Sequence, residues 1–544
     1  MLVQVLGFFF FKFVRTTIFL YFPSPFLSVS SNRFMSDAAH RPPFFTPMHV
    51  VDIFNGILYY QVELLVMTVV GIVVAYGVTR RYVPVVRRIL LQRNLFGIDI
   101  NKTTAAERAA FGENRYCVLL PEGHKGGKDG QQREKVLAKA VPESIGILAG
   151  AVYLSCVLLL VLIIGADMNQ LSGPLATIAV LLLLGFVDDV LDVRWRYKIL
   201  LSAFGVIPLL LSYDGSVSIV VPPLVAQYWR LPAWTTPTTD ICFRPYAPSS
   251  LHSFFEEEHR HTIGSFLVML WQYSQSEVTR LTQLASTLTQ GSSGWTTMRD
   301  YVGQHYLCRV PNSATGIDGI MVYLGPLYLL YILCICIFCS NSINILAGIN
   351  GLEVGQSTII AVACIVYNVL QLRFTSVTTP SGEWSYIERD LSPDHPIRAL
   401  LLLFPFVGVS LALYAFNKYP AQVFVGDSYT YFAGTVLAVA AVTGVYSKTL
   451  MLFFIPQLIN FILSLPQLFG IVPCPRHRVP TWSPVTGKLS NSHNYTLLNA
   501  ILYVTGDLTE RRLCQIVLLF QVVCCVFGFV IRYAAAALFF DMVL

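Results

Sequence analysis

Five short polar stretches interrupt a chain that is otherwise apolar, and each carries residue types that can do chemistry. The first is Asp188-Asp189-Val190-Leu191-Asp192, followed by Arg194, Arg196 and Lys198. Carboxylates at the end of an apolar helix are costly unless they are paired or bind a cation. Asp188 and Asp192 lie four apart and so share a helical face, with Asp189 beside them. Alone, this stretch reads either as snorkelling acids paired with the bases that follow, or as a divalent-metal or phosphate-chemistry cluster. The second stretch, NSINILAGINGLE, holds Asn341, Asn344 and Asn350, and the third, FVGDS, holds Gly426-Asp427. Asn344 and Asp427 offer oxygen ligands of the kind that suit Mg2+, or Mn2+, which needs few protein groups when phosphate oxygens and water complete its shell. A single asparagine in a glycine-rich bend also serves as a helix cap. The fourth, Cys474-Pro475-Arg476-His477-Arg478-Val479-Pro480, supplies two guanidiniums and an imidazole between prolines. Such a loop can grip phosphate, or lie against anionic lipid. The fifth is Pro142-Glu143-Ser144, preceded along the chain by Asp99, Asn101 and Lys102.

The scaffold that must position these groups is dictated by composition. Of 544 residues 55% are hydrophobic and only 12% charged, and the mean hydropathy is +0.60. Soluble domains carry about 25% charged residues. An ordinary soluble enzyme, a disordered chain and a nucleic-acid-binding module are therefore excluded. Most of the 12 cysteines, among them Cys156, Cys334, Cys336, Cys364, Cys524 and Cys525, sit inside apolar runs and read as small hydrophobes rather than a disulfide framework. About 20 apolar residues cross a bilayer. Such segments occur near 56–79, 144–164, 171–187, 199–221, 319–340, 352–370, 397–416, 430–446, 449–472 and 514–532. The expected fold is an all-α integral membrane protein of about ten transmembrane helices. Four regions divide it: an N-terminal extension over 1–50, helices over 56–225, a lumenal insert over 226–318, and helices over 319–535.

Residues 1–50 read as a signal-anchor, a further span, or an extension upstream of Met35 or Met48. Within the insert, the run Ile263–Trp271 is too short to span and suggests an interfacial helix. Cys242 and Cys308 flank it and are read equally as a free or a bonded pair. With ten helices the polar stretches all fall in loops of one side. That side also collects Arg80, Arg81, Arg87, Arg88, Arg93, Lys102, Arg194, Arg196, Lys198, Lys418, Arg476, Arg478, Lys488, Arg511 and Arg512, whereas the short loops opposite hold only Arg373, Arg389 and Lys448. Basic loops stay cytosolic. A cytosolic-face site rich in acids, amides and bases suggests joining a nucleotide diphosphate to something in the membrane. The rival is a nucleotide-sugar transporter, which would hold its substrate near the bilayer midplane and often in inverted repeats. His49, His252, His259, His261 and His493 have no convergent partners, and the sequence has no Walker loop, GxSxG or zinc pattern.

Longer segments around these residues carry a family resemblance. LGFVDDVLDVRWRYK (184–198), NSINILAGINGLEVGQS (341–357), FVGDSYTYFAG (424–434) and LPQLFGIVPCPRHRVP (465–480) do so together with LFGIDINK (95–102) and VPESIGILAGAVYL (141–154). They resemble the eukaryotic UDP-N-acetylglucosamine:dolichyl-phosphate N-acetylglucosamine-1-phosphotransferases, within the polyprenyl-phosphate hexose-1-phosphate transferase superfamily. The resemblance implies transfer of GlcNAc-1-phosphate from UDP-GlcNAc to dolichyl phosphate, giving GlcNAc-diphosphodolichol and UMP. It also implies tunicamycin sensitivity and residence in the endoplasmic reticulum membrane. The alternative within the superfamily is another amino sugar or polyprenyl acceptor, and the Pro-Arg-His-Arg form of the fourth stretch implies UDP-GlcNAc. By motif, Asn344 and Asp427 would ligate Mg2+. Ile98, Asp99, Ile100, Glu143 and Asn350 would hold the uridine, while Arg476, His477 and Arg478 would meet the pyrophosphate and sugar. Lys198, with Ile337, Phe338, Cys339, Ser340, Asn341, Ser342, Ile343, Asn344 and Ile345, would hold dolichyl phosphate. Asp188 and Asp189 would shape the acidic centre. Implied partners are both substrates and membrane lipid, with no nucleic acid; a homodimer is left open.

Overall fold

The computed structural model describes residues 60–93, 95–103, 140–191, 193–213, 215, 217–221, 307–310, 319–372, 394–475 and 478–535. The expectations for 1–50, for Ile263–Trp271 and for a bond between Cys242 and Cys308 lie outside these residues. Long helices dominate, as a chain in hydrocarbon must satisfy its backbone internally. In order they are α1 (Gln61–Gln92), α2 (Gly146–Ile164), α3 (Met168–Leu191), α4 (Trp195–Leu211), α5 (Pro326–Ile345), α6 (Leu352–Gln371), α7 (Asp394–Asn417), α8 (Gly426–Thr443), α9 (Ser447–Phe453), α10 (Ile455–Leu468), α11 (Leu497–Thr505) and α12 (Glu510–Val530). The axes of α9 and α10 differ by 72°, with Pro456 opening the second helix.

Each of the ten expected segments coincides with a helix or with the broken pair α9–α10, although length and apolar composition alone qualify fewer than ten of the described helices as spans. Seven described helices are long and apolar enough to cross a membrane, or eight if the broken pair is one span. The two that fall short do so for different reasons. The 17 residues of α4 rise about 25 Å, short of a 30 Å hydrocarbon core. Its expected continuation to 221 is instead strand β3 (Ser218–Val221), and the expected start of the next span is strand β5 (Gly319–Tyr323). These pair with each other, and β4 (Leu307–Val310), the tail of the insert, pairs with β5. Valine and isoleucine suit strands as well as spans, so hydropathy alone could not separate the two.

The other short helix, α8, is the centre of the bundle. Every residue from Ser428 to Thr443 is buried, and α2, α3, α5, α6 and α7 all pack against it. A helix surrounded by protein has no need of a lipid-compatible surface, so it can carry Asp427, Ser428 and several threonines. Close approach is secured by small residues. A Cβ on Gly185 of α3 would stand 2.5 Å from the Asp427 carbonyl, and one on Gly434 of α8 would stand 2.3 Å from the Cys339 carbonyl of α5. Outside the bundle, exposed Leu, Val, Ile and Phe run along α1, α2, α3, α4 and α12. At one end, β1 (Phe96–Ile98) pairs antiparallel with β2 (Ala140–Pro142), setting Ile98 opposite Ala140. The Pro142 carbonyl accepts the Phe424 N–H, and Val425 accepts from Gly146, so this hairpin is laced to the entrance of α8.

Candidate active site

The acid pair at the end of α3 divides into two roles. Asp189 spans the N-terminus of α8: its Oδ1 accepts the Asp427 N–H at 2.6 Å and its Oδ2 the Ser428 N–H at 3.0 Å. Those N–H groups lie in the first turn, where the helix dipole favours an anion. Gly426, at φ +72°, makes the turn; a Cβ there would collide with the Asp189 carboxylate. Asp188 instead closes the α3–α4 turn. Its Oδ1 accepts the Val193 N–H at 3.0 Å, and its Oδ2 pairs with Lys198 Nζ at 2.5 Å. Lys198 also reaches Asp427 Oδ2 at 3.3 Å, and Asp427 Oδ1 accepts from Asn344 Nδ2 at 2.8 Å. The Asp188 side chain is 2% exposed, against 21% for Lys198 and 28% for Asp427. Asp427 and Lys198 therefore offer themselves to a ligand, while Asp188 backs the lysine from behind. Asp192 lies outside the described residues.

Two of these groups fit a divalent cation. Among the described residues no cluster of three His, Cys, Asp or Glu side chains could hold a metal. Mg2+ takes one or two carboxylates and draws the rest of its shell from phosphate and water. An amide can turn either its NH2 or its oxygen to a neighbour. The hydrogen-bonded pair Asn344–Asp427 can thus present one amide and one carboxylate oxygen, with Lys198 adjacent.

The sequence-expected nucleotide residues form a second cluster. Asp99 accepts the Asn101 N–H at 3.0 Å, capping the short Ile100–Lys102 turn. Its Oδ2 takes the Asn350 amide N–H at 3.0 Å and pairs with Lys102 at 2.6 Å. Lys102 also lies over the Tyr419 ring, 4.7 Å from its centroid. Glu143 leans over Gly97, where a Cβ would overlap its carboxylate. Ile98 packs with Phe96 and Ala140 in a small apolar nucleus, so what it can give a ligand is backbone. The side chain of Ile100 is not among those described. Two participants were not singled out in the sequence: Glu510 accepts the Asn350 N–H at 2.7 Å, and Glu353 accepts the Gly348 N–H at 3.1 Å. A lone Glu at the start of the last span, beside Arg511 and Arg512, carries no motif that could have revealed it.

The Arg-His-Arg loop meets this cluster through its last residues. Val479 Cγ1 lies where a Cβ on Gly348 would be, only 2.4 Å away, and Gly348 is at φ +102°. Arg478 offers its carbonyl to Asn499 Nδ2 at 3.2 Å, and its Nη1 is buried with no hydrogen-bond partner. An orphaned buried guanidinium N–H is costly unless a ligand meets it; an anion is the natural complement. Arg476 and His477 lie outside the described residues. In the 337–345 stretch, Cys339, Ser340, Ser342 and Ile343 are buried, and Ser340 and Ser342 donate to carbonyls of their own helix. Ile337, Phe338, Asn341, Asn344 and Ile345 are only partly covered, so these are the members available to an acceptor.

An apolar helical bundle whose acids, amides and bases converge at one end, around a site suited to Mg2+ and phosphate, defines an integral-membrane transferase. The profile described as glycosyl transferase family 4 matches residues 277–445. The chain is 47% identical over 507 residues to the UDP-N-acetylglucosamine–dolichyl-phosphate N-acetylglucosaminephosphotransferase of Leishmania amazonensis, covering 88% of this chain and 95% of that one. The protein of the same name from Dictyostelium discoideum is 35% identical over 84% of this chain and 86% of its own length. That of Schizosaccharomyces pombe is 28% identical over 77% and 88%. The chain belongs to the family of UDP-N-acetylglucosamine–dolichyl-phosphate N-acetylglucosaminephosphotransferases.

Proposed function

We propose that this protein transfers GlcNAc-1-phosphate from UDP-GlcNAc to dolichyl phosphate, releasing UMP and forming GlcNAc-diphosphodolichol. The observation that carries the reading is the Asn344–Asp427–Lys198–Asp188 chain of contacts at one end of the bundle, in a chain so similar to proteins of that name. A transporter would gather its polar groups near the midplane; here they gather at the helix ends. Lys198 binds the acceptor phosphate, and its contact with Asp427 sets that phosphate beside the donor's. Asn350, Asp99 and Glu143 hold the nucleoside, and Arg478 with Arg476 and His477 takes the pyrophosphate. An acceptor phosphate oxygen attacks the β-phosphorus in line and UMP leaves. That oxygen is already anionic near neutral pH, so no strong base is required and neither Asp188 nor Asp189 need act as one. Mg2+ held by Asn344 and Asp427 would neutralise charge on the pyrophosphate as it reacts. The rest is positioning and cationic stabilisation by Lys198 and the arginines.

The basic residues in the loops that carry the site support a cytosolic orientation. The endoplasmic reticulum, where dolichyl phosphate meets cytosolic nucleotide sugars, is the membrane this reading requires, and the exposed apolar surface of the outer helices fits membrane lipid. The test is UMP release by detergent-purified protein with Mg2+ and UDP-GlcNAc, with and without dolichyl phosphate. The expected result is release that requires acceptor, stops with EDTA and is blocked by tunicamycin. Folded protein that binds UDP-GlcNAc yet releases no UMP with acceptor present would sink the proposal.

A further inference from the structure

The loop Leu346–Gly351 has almost nothing of its own to hold its shape: it is Leu-Ala-Gly-Ile-Asn-Gly, with Gly348 and Gly351 both at positive φ. Its backbone is fixed from outside by four side chains, one of them Gln356, whose Nε2 donates to the Leu346 carbonyl at 2.8 Å. Asn101 Nδ2 donates to the Gly348 carbonyl at 2.7 Å, Glu353 accepts the Gly348 N–H at 3.1 Å, and Glu510 accepts the Asn350 N–H at 2.7 Å. Among these four, Glu510 is the one that bonds the Asn350 backbone. It is 4% exposed, is the first residue of α12, and lies beyond the residues matched by the family profile. Asn350 is thereby pinned twice: its backbone N–H to Glu510 and its side-chain N–H to Asp99 at 3.0 Å. Among the described residues its amide oxygen accepts no hydrogen bond, which leaves it for a ligand.

We infer that Glu510 is a positioning residue for the donor: it fixes Asn350 in the attitude that receives the nucleoside of UDP-GlcNAc, so that the last span completes the donor pocket. This rests on the donor-site assignment above. Losing the acceptor leaves a buried N–H without a partner, and the loop relaxes around a residue that touches donor and not acceptor. The experiment uses the full chain in detergent with Glu510→Ala, Glu510→Gln and Glu510→Asp. Glu510→Ala is expected to raise KM for UDP-GlcNAc by about tenfold or more, with kcat changed less than about threefold and KM for dolichyl phosphate unchanged within about twofold. Glu510→Gln keeps an acceptor oxygen at the same reach and is expected to stay near wild type. Should Glu510→Ala not fold, Glu510→Asp, whose carboxylate is drawn back by one methylene, carries the same expectation. Calorimetric binding of UDP-GlcNAc separates the outcomes. If wild type binds no donor, the donor-site assignment fails and this inference with it. If wild type binds and the variants bind equally well, or if the Gln variant loses as much as the Ala variant, only the inference fails.

Discussion

At the scale of single residues, Asp189 binds the first turn of α8 while Asp188, one position earlier, binds Val193 and Lys198. Asp188 and Asp189 are neighbours with the same headgroup, and their difference arises only because α8 begins opposite one of them. Asp189 is committed to two N–H groups of that helix, so its removal should act on stability first. Asp189→Ala is expected to cost about 1–3 kcal/mol, the range for orphaning buried donors, and to lower the detergent melting temperature along with activity. Asp427→Ala should do the opposite. It leaves the Asp189 contacts to the backbone intact and removes the one carboxylate of the metal pair. A loss of turnover of about a hundredfold or more, with an unchanged melting temperature and loss of the Mg2+ response, is expected; near-normal turnover would remove Asp427 from the metal site. Lys198 needs a paired design, because Lys198→Ala alone strands the buried Asp188 charge. In an Asp188→Asn background, Lys198→Ala should abolish transfer to dolichyl phosphate while calorimetric UDP-GlcNAc binding survives. Loss of donor binding instead would move Lys198 to the donor side.

At the scale of elements, hydropathy located every long helix because apolar runs in lipid have few other options. It misjudged the ends at 218–221 and 319–323, where strands of the same composition pair, and it treated α8 as one span among equals. What singles out α8 is its glycine contacts, and those are legible only once its neighbours are known. Gly434 lets α8 meet α5 at the Cys339 carbonyl, about two turns from Asp427 along one helix and about one turn from Asn344 along the other. That crossing sets the separation of the two proposed metal ligands. Gly434→Ala must push the helices apart by about an ångström, because the atoms a Cβ would meet are backbone. It should therefore weaken the apparent Mg2+ activation by severalfold at a melting temperature lowered only modestly. Gly165, which ends α2 where a Cβ would meet nothing, is the control, although its positive φ makes alanine mildly strained there. Equal Mg2+ responses from the two variants would show that the α5–α8 crossing does not set the site.

At the scale of the whole molecule the decisive property is that distant loops share one end. Contacts of Asp99 with Asn350, Asp188 with Lys198, Asp189 with α8, Asn344 with Asp427 and Asn350 with Glu510 tie together the C-terminal ends of α3 and α5 and the N-terminal ends of α4, α6, α8 and α12. The chain must therefore return to this end repeatedly, and the alternation of basic and nearly uncharged loops seen in the sequence follows the same rhythm. This agreement gives the orientation a direct test. Cys474 is exposed in the loop leading to Arg478, on the site's own side, whereas Cys336, Cys339, Cys364 and Cys525 are buried in the bundle. In sealed microsomes, whose outer face is cytosolic, a membrane-impermeant maleimide should label Cys474 without permeabilisation, and UDP-GlcNAc should slow the labelling because the pyrophosphate would sit beside the neighbouring arginines. Labelling of Cys474, read by mass spectrometry of its peptide, that appears only after detergent opens the vesicles would place the site in the lumen. The polar groups would then face away from the nucleotide sugar, and the proposed reaction could not proceed from that side.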